Sequence, residues 1–576
     1  MTCFRVWAPT AQSLEVALGA ARLPMEPAGN GWWEVNAPDA GPGTDYAFSV
    51  DGGDPRPDPR SRWQPHGVHA PSRVVDDAAH AWTDQRWHGT PLLGGVVYEL
   101  HVGTFTDEGT LDAAISRLDH LAGLGIDAVE LLPMAAFSGR HGWGYDGVAL
   151  FAVHDPYGGP AAMKRFVDAA HARGIAVIVD VVYNHLGPSG NYLAQFGPYF
   201  TDKHSTPWGW AVNFDDVSSG EVRQFILDNA VMWLRDYHCD GLRLDAVHAI
   251  KDESAVHLLE ALAARVDALS AEMQRPLTLI AESDLNDPRF IRPRPAHGLG
   301  LHAQWSDDFH HALHSAFTGE TMSYYEGFGA IATLADTLHD GWFFNGRWST
   351  FRGRAHGRPF PPELSPRQLV GYLQTHDQIG NRATGERASA LMSEGLAKVG
   401  AALVLTSPYT PMLFMGEEWA ASSPWQYFTD HDDPELGEAV RTGRRNEFKE
   451  FGWQPEHVPD PQDPQTFERS KLDWAELDKA PHAEALAWHR ALIALRRAEP
   501  DLVTGATSVT FDETARWLVV RRESLAVACN LGTGAQSVPL PAPGAAVLLA
   551  SAPDSVTLSA ASVELPPDSV AIVRLA

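Results

Sequence analysis

The feature that most constrains this chain is a strand-then-helix alternation running through its middle. VVYELHV (96–102) precedes the helix-patterned TLDAAISRLDHLAGLG, and AVELLP (128–133) follows it. AAMKRFVDAAHARG leads into IAVIVDVVYN, EVRQFILDNAVMWLRDY into GLRLDAV, and SAVHLLEALAARVDAL into LTLIAES. AQWSDD near Gln304, VGYLQTHD and MLFMGEEW complete the series, with EGLAKVGAALVLTS between the last two. Short apolar runs separated by amphipathic helices demand parallel strands joined by crossovers. The runs number eight, the count that closes a (β/α)8 TIM barrel, so the expected class is α/β.

The flanks read differently. From Phe4 to about Val75 the chain breaks into FRVWAP, SLEVAL, GWWEVN and TDYAFSV, with Gly, Asn, Pro and Asp between them. That pattern predicts a small β-sandwich over residues 1–90, left through the Pro- and Gly-rich DGGDPRPDPRSRWQP. The barrel is expected over 91–500, with a long excursion near 186–218 crossing its mouth. RWLVVRR, LAVACN and SVAIVRL predict a C-terminal antiparallel β-domain over 501–576.

A formal charge of -29 excludes nucleic acid and anionic membrane as partners, because both need clustered Lys and Arg. A neutral ligand fits. The N-terminal MTCFRVWAPT lacks a basic start followed by an apolar run, and no run of eighteen apolar residues occurs, so a cytoplasmic location is expected. Cys3, Cys239 and Cys529 are scattered without metal-ligand spacing and read as reduced, buried, inert thiols. No metal or other cofactor is expected.

In GLRLDAVH, a period of two sets Arg243 and Asp245 on the face opposite Leu242 and Leu244, toward the barrel interior. The same parity aligns Thr278, Ile280 and Glu282 in LTLIAES. Asp180 and His185 in DVVYNH, and His376 and Asp377 in YLQTHD, also fall at strand ends, where such barrels hold their active sites. A single Asp at a strand end is more often a helix cap, and a lone His more often structural. Four polar clusters entering one interior are harder to dismiss, since charged side chains are seldom buried without partners.

DVVYNH, GLRLDAVH, the Glu of LIAES and QTHD resemble, in order, the four sequence regions of the α-amylase superfamily, glycoside hydrolase family 13. The resemblance spans about residues 95–480. It implies that Asp245 is the nucleophile, Glu282 the general acid and base, and Asp377 the carboxylate that stabilises an oxocarbenium-like transition state. It further implies sugar contacts for Arg243, His185 and His376 in the cleavage subsite, for His248 beyond it, and for Tyr145 as a stacking ring. Asn184 stands where some α-amylases bind calcium, but no Asp-rich loop accompanies it.

FRVWAPTAQSLEVAL is similar to the carbohydrate-binding-module-like sandwich that precedes the barrel in branching, debranching and trehalohydrolase members. TPWGWAVNFDD, AQWSDDFHHALH, THDQIGNRATGER and FMGEEWAASSPWQYFTDHDDPELGEAVRTGRRNEF resemble the trehalohydrolase branch in particular. That branch implies maltooligosyltrehalose and α-1,4-glucan oligosaccharides as substrates and functional pairing with a maltooligosyltrehalose synthase. By the same resemblance Asp307, Asp308, Phe309, His310 and His311 in one loop, and His376, Gln378 and Asn381 in another, line the substrate groove. A branching or debranching activity is the alternative within the superfamily. A non-catalytic glucan-binding scaffold would be expected to lack a carboxylate, yet all three are present.

Overall fold

A computed structural model describes residues 2–207, 209–450 and 457–576; Trp208, inside the TPWGWAVNFDD string, lies outside the described residues. The eight apolar runs become strands β1 (Val97–Leu100), β2 (Ala128–Leu131), β3 (Ala176–Val181), β4 (Gly241–Leu244), β5 (Thr278–Ala281), β6 (Ala303–Trp305), β7 (Leu369–Gly371) and β8 (Thr410–Phe414). They pair in chain order, all parallel, and β8 closes on β1 with Met412 opposite Val97.

The parity expected of the strands holds. Val97, Ala128, Ala176, Ile178, Ile280, Ala303, Val370 and Met412 pack inside the barrel around Trp305, while Leu242, Leu244 and Leu279 join the outer core beneath the helices. The alanines leave room for the indole, as a tapering interior requires. Of the described helices, none is long and apolar enough to cross a membrane.

The N-terminal module is two facing sheets, one of Thr2–Trp7, Trp32–Ala37 and Glu26–Gly29, the other of Ala21–Pro24, Leu14–Leu18, Asp45–Val50 and Ser72–Arg73. Strand Thr2–Trp7 turns Phe4 and Val6 inward and Cys3 and Arg5 outward. Cys3 is therefore exposed, correcting the expectation of three buried thiols; Cys239 and Cys529 are buried.

The excursion near 186–218 is more ordered than a bare loop. It folds into helix Leu193–Phe196 and an antiparallel hairpin, Phe200–Thr206 with Gly209–Val212. Its aromatics hold the N-terminal module: Tyr199 meets Trp7 edge-on at 5.4 Å and Phe196 meets Phe48 at 6.4 Å. Beside the hairpin, His204, Asp215 and Glu253 are spaced like metal ligands. The Lys203 ammonium already stands 2.9 Å from Asp215 and 3.2 Å from Glu253 and supplies the positive charge there.

A second excursion, over 319–365, was not anticipated. It carries helix Ile331–Asp340 and a short hairpin, Trp348–Ser349 with Arg354–Ala355. That helix starts after Ala330, which has no side chain able to cap it. Glu513 of the C-terminal domain supplies the cap, accepting from Ile331 N and Ala332 N at 3.1 and 3.0 Å. The C-terminal domain itself is a five-stranded antiparallel sheet with a smaller three-stranded one. Val519, Ala528, Val538, Val563 and Ala571 fill the space between them.

Candidate active site

Arg243 organises the mouth of the barrel. Register places it beside Asp180 on β3 and Ile280 on β5. Its Nη1 donates to both Asp180 oxygens at 2.9 and 2.8 Å and to Asp245 Oδ1 at 2.9 Å. Its Nη2 lies 3.7 Å from Glu282 Oε2. The guanidinium is buried and rests 4.3 Å over the Trp305 ring, a cation–π contact that suits a desolvated cation. Burial pushes the Asp180 carboxyl up to about 6, even against the opposing charge of Arg243.

Asp245 follows β4 directly. Asn184 donates to its backbone carbonyl at 2.9 Å and to its Oδ2 at 2.7 Å, so Arg243 holds one carboxylate oxygen and Asn184 the other. The Asn184 carbonyl meets His185 Nδ1, and His185 Nε2 lies 3.1 Å from Tyr145 O. Both ends of the Asn184 amide are thus engaged within the site. Ala246, next along, adopts a left-handed conformation at φ 38°, strained for a residue with a Cβ. That turn aims Ala246 N at Glu282 Oε2, to which it donates.

Glu282, at the end of β5, is surrounded by acids. Burial pushes its carboxyl well above the ordinary value, Arg243 opposes this, and the charges of Asp245, Asp307 and Asp377 push it further up. Because Oε2 accepts from Ala246 N, the proton of the neutral acid belongs on Oε1.

His376 and Asp377 start a helical turn, His376–Gly380, rather than an open loop. The turn is closed by a capping box in which Gln378 Oε1 accepts from Thr375 N at 2.9 Å. Gln378 thereby serves the backbone. Asn381 donates to Asp377 Oδ1 at 2.8 Å. Glu99 on β1 accepts from His376 N at 3.0 Å and from His376 Nδ1 at 2.6 Å. Burial alone would lower the His376 pKa, but the charge and hydrogen bond of Glu99 raise it on balance. The Tyr145 hydroxyl sits between His376 Nε2 at 2.9 Å and Asp180 Oδ2 at 2.7 Å, with its ring stacked on the imidazole.

The WSDDFHH residues divide. Trp305 ends β6, and Asp307 to His311 form the first turns of helix Asp307–Thr318, not a loop; a helix cannot present five successive side chains to one groove. Asp307 belongs to the site: it accepts from the Tyr372 hydroxyl, and burial pushes its carboxyl up to about 7. Asp308 is buried and clasps the second excursion, accepting from Phe344 N at 2.7 Å and Asn286 Nδ2 at 2.9 Å. Phe309 is in the core against Tyr409. His310 is spent on Leu373 O at 2.7 Å and the Tyr325 hydroxyl at 3.0 Å. His311 packs among Tyr324, Tyr325 and Phe328. His248, on the turn Val247–Ala249, is half-buried, and burial lowers its pKa despite the nearby charges of Asp284 and Asp245.

Comparison with known proteins places the chain in a family. The model for the alpha-amylase catalytic domain matches residues 71–220, carbohydrate-binding module 48 (the isoamylase N-terminal domain) matches 1–65, and a domain of unknown function matches 504–572. The malto-oligosyltrehalose trehalohydrolase of Arthrobacter ramosus is 56% identical over 99% of this chain and 99% of its own. The chain belongs to the malto-oligosyltrehalose trehalohydrolase family. The Mycobacterium tuberculosis member is 50% identical over 100% of this chain and 99% of its own. A solved Salmonella typhimurium protein described as an alpha amylase is 37% identical, with a TM-score of 0.91 over 99% of this chain and 97% of that one. A pullulanase of Paenibacillus barengoltzii, 21% identical, shares the fold at a TM-score of 0.72 over 100% of this chain and 93% of its own.

Several residues that shape the site in this trehalohydrolase-family chain escaped the sequence reading. Glu99 and Glu130 are register partners on β1 and β2 and share the inward parity of Val97 and Ala128, a signal that was present in VVYELHV and AVELLP. Burial pushes the Glu130 carboxyl well above its ordinary value, and the charge of Glu99 adds to this. Arg352, in the unforeseen second excursion, pairs with Asp284 at 2.6 Å, and His356 Nε2 lies 2.8 Å from Asp284 O. The apolar stripe Ile331, Leu334, Ala335 and Leu338 gives a helical signal within that excursion, but nothing in it places Arg352 against Asp284, two residues after Glu282.

Proposed function

We propose that this chain is a retaining hydrolase that cuts the α-1,4 bond next to the trehalose end of maltooligosyltrehalose, releasing trehalose and a maltooligosaccharide. In this reading a maltooligosyltrehalose synthase supplies the substrate. The observation that carries the chemistry is the unequal treatment of two carboxyls sharing one guanidinium. Asp245 is bonded at both oxygens by donors, as a nucleophile needs, while Glu282 is pushed toward its protonated form by burial and by neighbouring acids.

Asp245 attacks the anomeric carbon as Glu282 passes its Oε1 proton to the departing glycosidic oxygen, leaving a glycosyl ester on Asp245. Glu282, now a carboxylate, takes a proton from water, and that water frees the sugar with its configuration retained. Asp377, oriented by Asn381, and His376, backed by Glu99, bind hydroxyls of the distorted ring. The wall of Asp284, Arg352, His248 and Asp307 offers charged and polar groups beyond Glu282. Groups placed for the α,α-1,1 unit go unpaired when maltose occupies its place, and that penalty gives selectivity.

The test is chromatography of products from maltooligosyltrehalose, with free maltooligosaccharide of equal length as control. Trehalose should be released with a kcat/KM at least tenfold above that for the control, and proton NMR should show the α anomer of the new reducing sugar first. Equal rates on both substrates would point to a general amylase, and transfer to a new branch point would point to a branching enzyme.

A further inference from the structure

The longest of the trehalohydrolase-like strings, FMGEEWAASSPWQYFTDHDDPELGEAVRTGRRNEF (414–448), supplies no group to the reaction above. Its last stretch folds into helix Pro434–Glu450, in which only Gly437 and Phe448 are buried among the described residues. A helix with so little apolar burial depends on particular contacts to stay in place. Phe448 packs with Ala383 and Val458, and Arg441 Nε donates to Asp460 Oδ2 at 2.6 Å. A third contact is made by Arg444, and it reaches the active site.

The Arg444 side chain is only 10% exposed, and its guanidinium lies 5.1 Å from the centre of the Tyr427 ring and 4.5 Å from that of Phe448. Its Nη1 donates to Asn381 Oδ1 at 3.0 Å and to Glu447 Oε2 at 3.1 Å, while its Nη2 donates to Gly380 O. Gly380 and Asn381 close the turn that carries His376 and Asp377. One cation therefore satisfies an end carbonyl of that turn and grips the side chain that follows it. Burial lowers the Arg444 pKa, and the charge of Asp377 is among those that oppose this, so the two groups feel each other without touching.

Asn381 is the link between them. Its Nδ2 donates to Asp377 Oδ1 at 2.8 Å, so a cation, an amide and a carboxylate stand in one hydrogen-bonded row. The two ends of an amide are alike in shape and opposite in polarity. Turned over, Asn381 would aim its carbonyl oxygen at the Asp377 carboxylate and leave that oxygen without a donor. A guanidinium held on Oδ1 makes one orientation favourable, the one that keeps Nδ2 on Asp377. We propose that Arg444 is a positioning residue for Asp377, acting through Asn381, and that helix Pro434–Glu450 serves the reaction by bringing it there. This rests on the reading of Asp377 as the carboxylate that stabilises the transition state.

A double-mutant cycle on the full chain tests it, with kcat and KM on maltooligosyltrehalose as the readout. Arg444→Met keeps an apolar stem between Tyr427 and Phe448 and removes the guanidinium. It should lower kcat about tenfold or more while KM moves much less, as expected where a group fixes transition-state geometry. On an Asn381→Ala background the same change should cost less than about twofold, because the link is already gone. A role confined to holding the helix would cost as much on either background, and losses that multiply would overturn the proposal. So would an Arg444→Met chain with kcat within about twofold of the unaltered one. Arg444→Lys, which keeps the charge and a donor for Asn381, is the second variant. It should recover part of the lost kcat, and a chain no faster than Arg444→Met would also refute the assignment. Asp377→Asn separates this from the reading beneath it: a kcat within about tenfold of the unaltered chain would remove Asp377 itself from the mechanism, whatever Arg444 does.

Discussion

A guanidinium within reach of Asp180, Asp245 and Glu282 changes what each can do, because its charge is shared unequally among them. Glu282 receives the weakest contact and the most acidic company, and in the proposed reaction it is the group that holds a proton. The alkaline limb of the pH profile should therefore follow Glu282. Its pKa is raised, so the acid form is present at low pH and lost as pH rises through that value. Asp307 ionises at about 7 and contributes to the rise, so in the alkaline limb its charge helps to hold the proton on Glu282. Asp307→Asn keeps an acceptor for the Tyr372 hydroxyl and removes the charge. It should move the alkaline limb of kcat/KM to lower pH, a shift that pH–rate profiles measure and that a purely structural role would not produce. Glu282→Gln should lower kcat by several orders of magnitude with the melting temperature unchanged, since the proposed role lies in bond breaking and making and the amide oxygen still accepts from Ala246 N.

At the level of elements, the barrel was legible because apolar runs alternating with amphipathic helices admit few arrangements, and inward parity carried Arg243, Asp245 and Glu282 to one rim. The structure differs where a short polar string at a strand end predicts a surface loop. DDFHHALH and HDQIG have helical spacing, but their first residues are charged and strand-adjacent, so their apolar face was hidden. The second excursion has a helix with a regular apolar stripe, yet what fixes its place is long-range. Its helix Ile331–Asp340 is capped from the C-terminal domain by Glu513, information that no local window contains. Asp308 shows what such long-range ties do. It joins the start of one helix to the Asn286 side chain and the Phe344 backbone of the excursion that brings Arg352 to the site. Asp308→Ala strands buried donors at a cost of about 1–3 kcal/mol. The variant should melt earlier, show faster hydrogen exchange over 319–365, and lose activity on maltooligosyltrehalose more than on plain maltooligosaccharide. Equal losses on the two substrates would detach this excursion from recognition of the trehalose end.

Across the whole molecule, the segment joining the N-terminal module to the barrel is clamped to the end of the barrel opposite the active site by one buried imidazole. His171 bridges Asp84 and Asp240 at 2.9 Å each, and its ring stacks on Trp87 at 4.6 Å. Asp240 also accepts from Trp87 Nε1 at 2.8 Å and Val177 N at 2.9 Å, while Asp84 takes a second contact from His238 at 2.8 Å. Burial pulls the His171 pKa down, but its hydrogen bonds and charge contacts with Asp240 and Asp84 outweigh that and leave it raised. For Asp84 burial acts upward, and the two histidines outweigh it and leave the carboxyl lowered. A raised histidine stabilises the fold fully below its unfolded value, about 6.5, and the contribution fades as pH climbs through the folded value. A lowered aspartate stabilises above its unfolded value, about 3.9, and fails as pH drops through the folded one. The clamp is therefore strongest between about pH 4 and 6.5. Melting temperature should fall as pH rises from that window toward 9. His171→Gln removes the cation the two carboxylates share, while His238 stays on Asp84 and Arg275 Nη1 stays 3.8 Å from Asp240, so the loss is on the order of 1–3 kcal/mol. That variant should melt earlier at pH 6 and lose most of the downward slope toward alkaline pH. A slope equal to that of the unaltered chain would place the alkaline sensitivity elsewhere and reduce His171 to a packing residue.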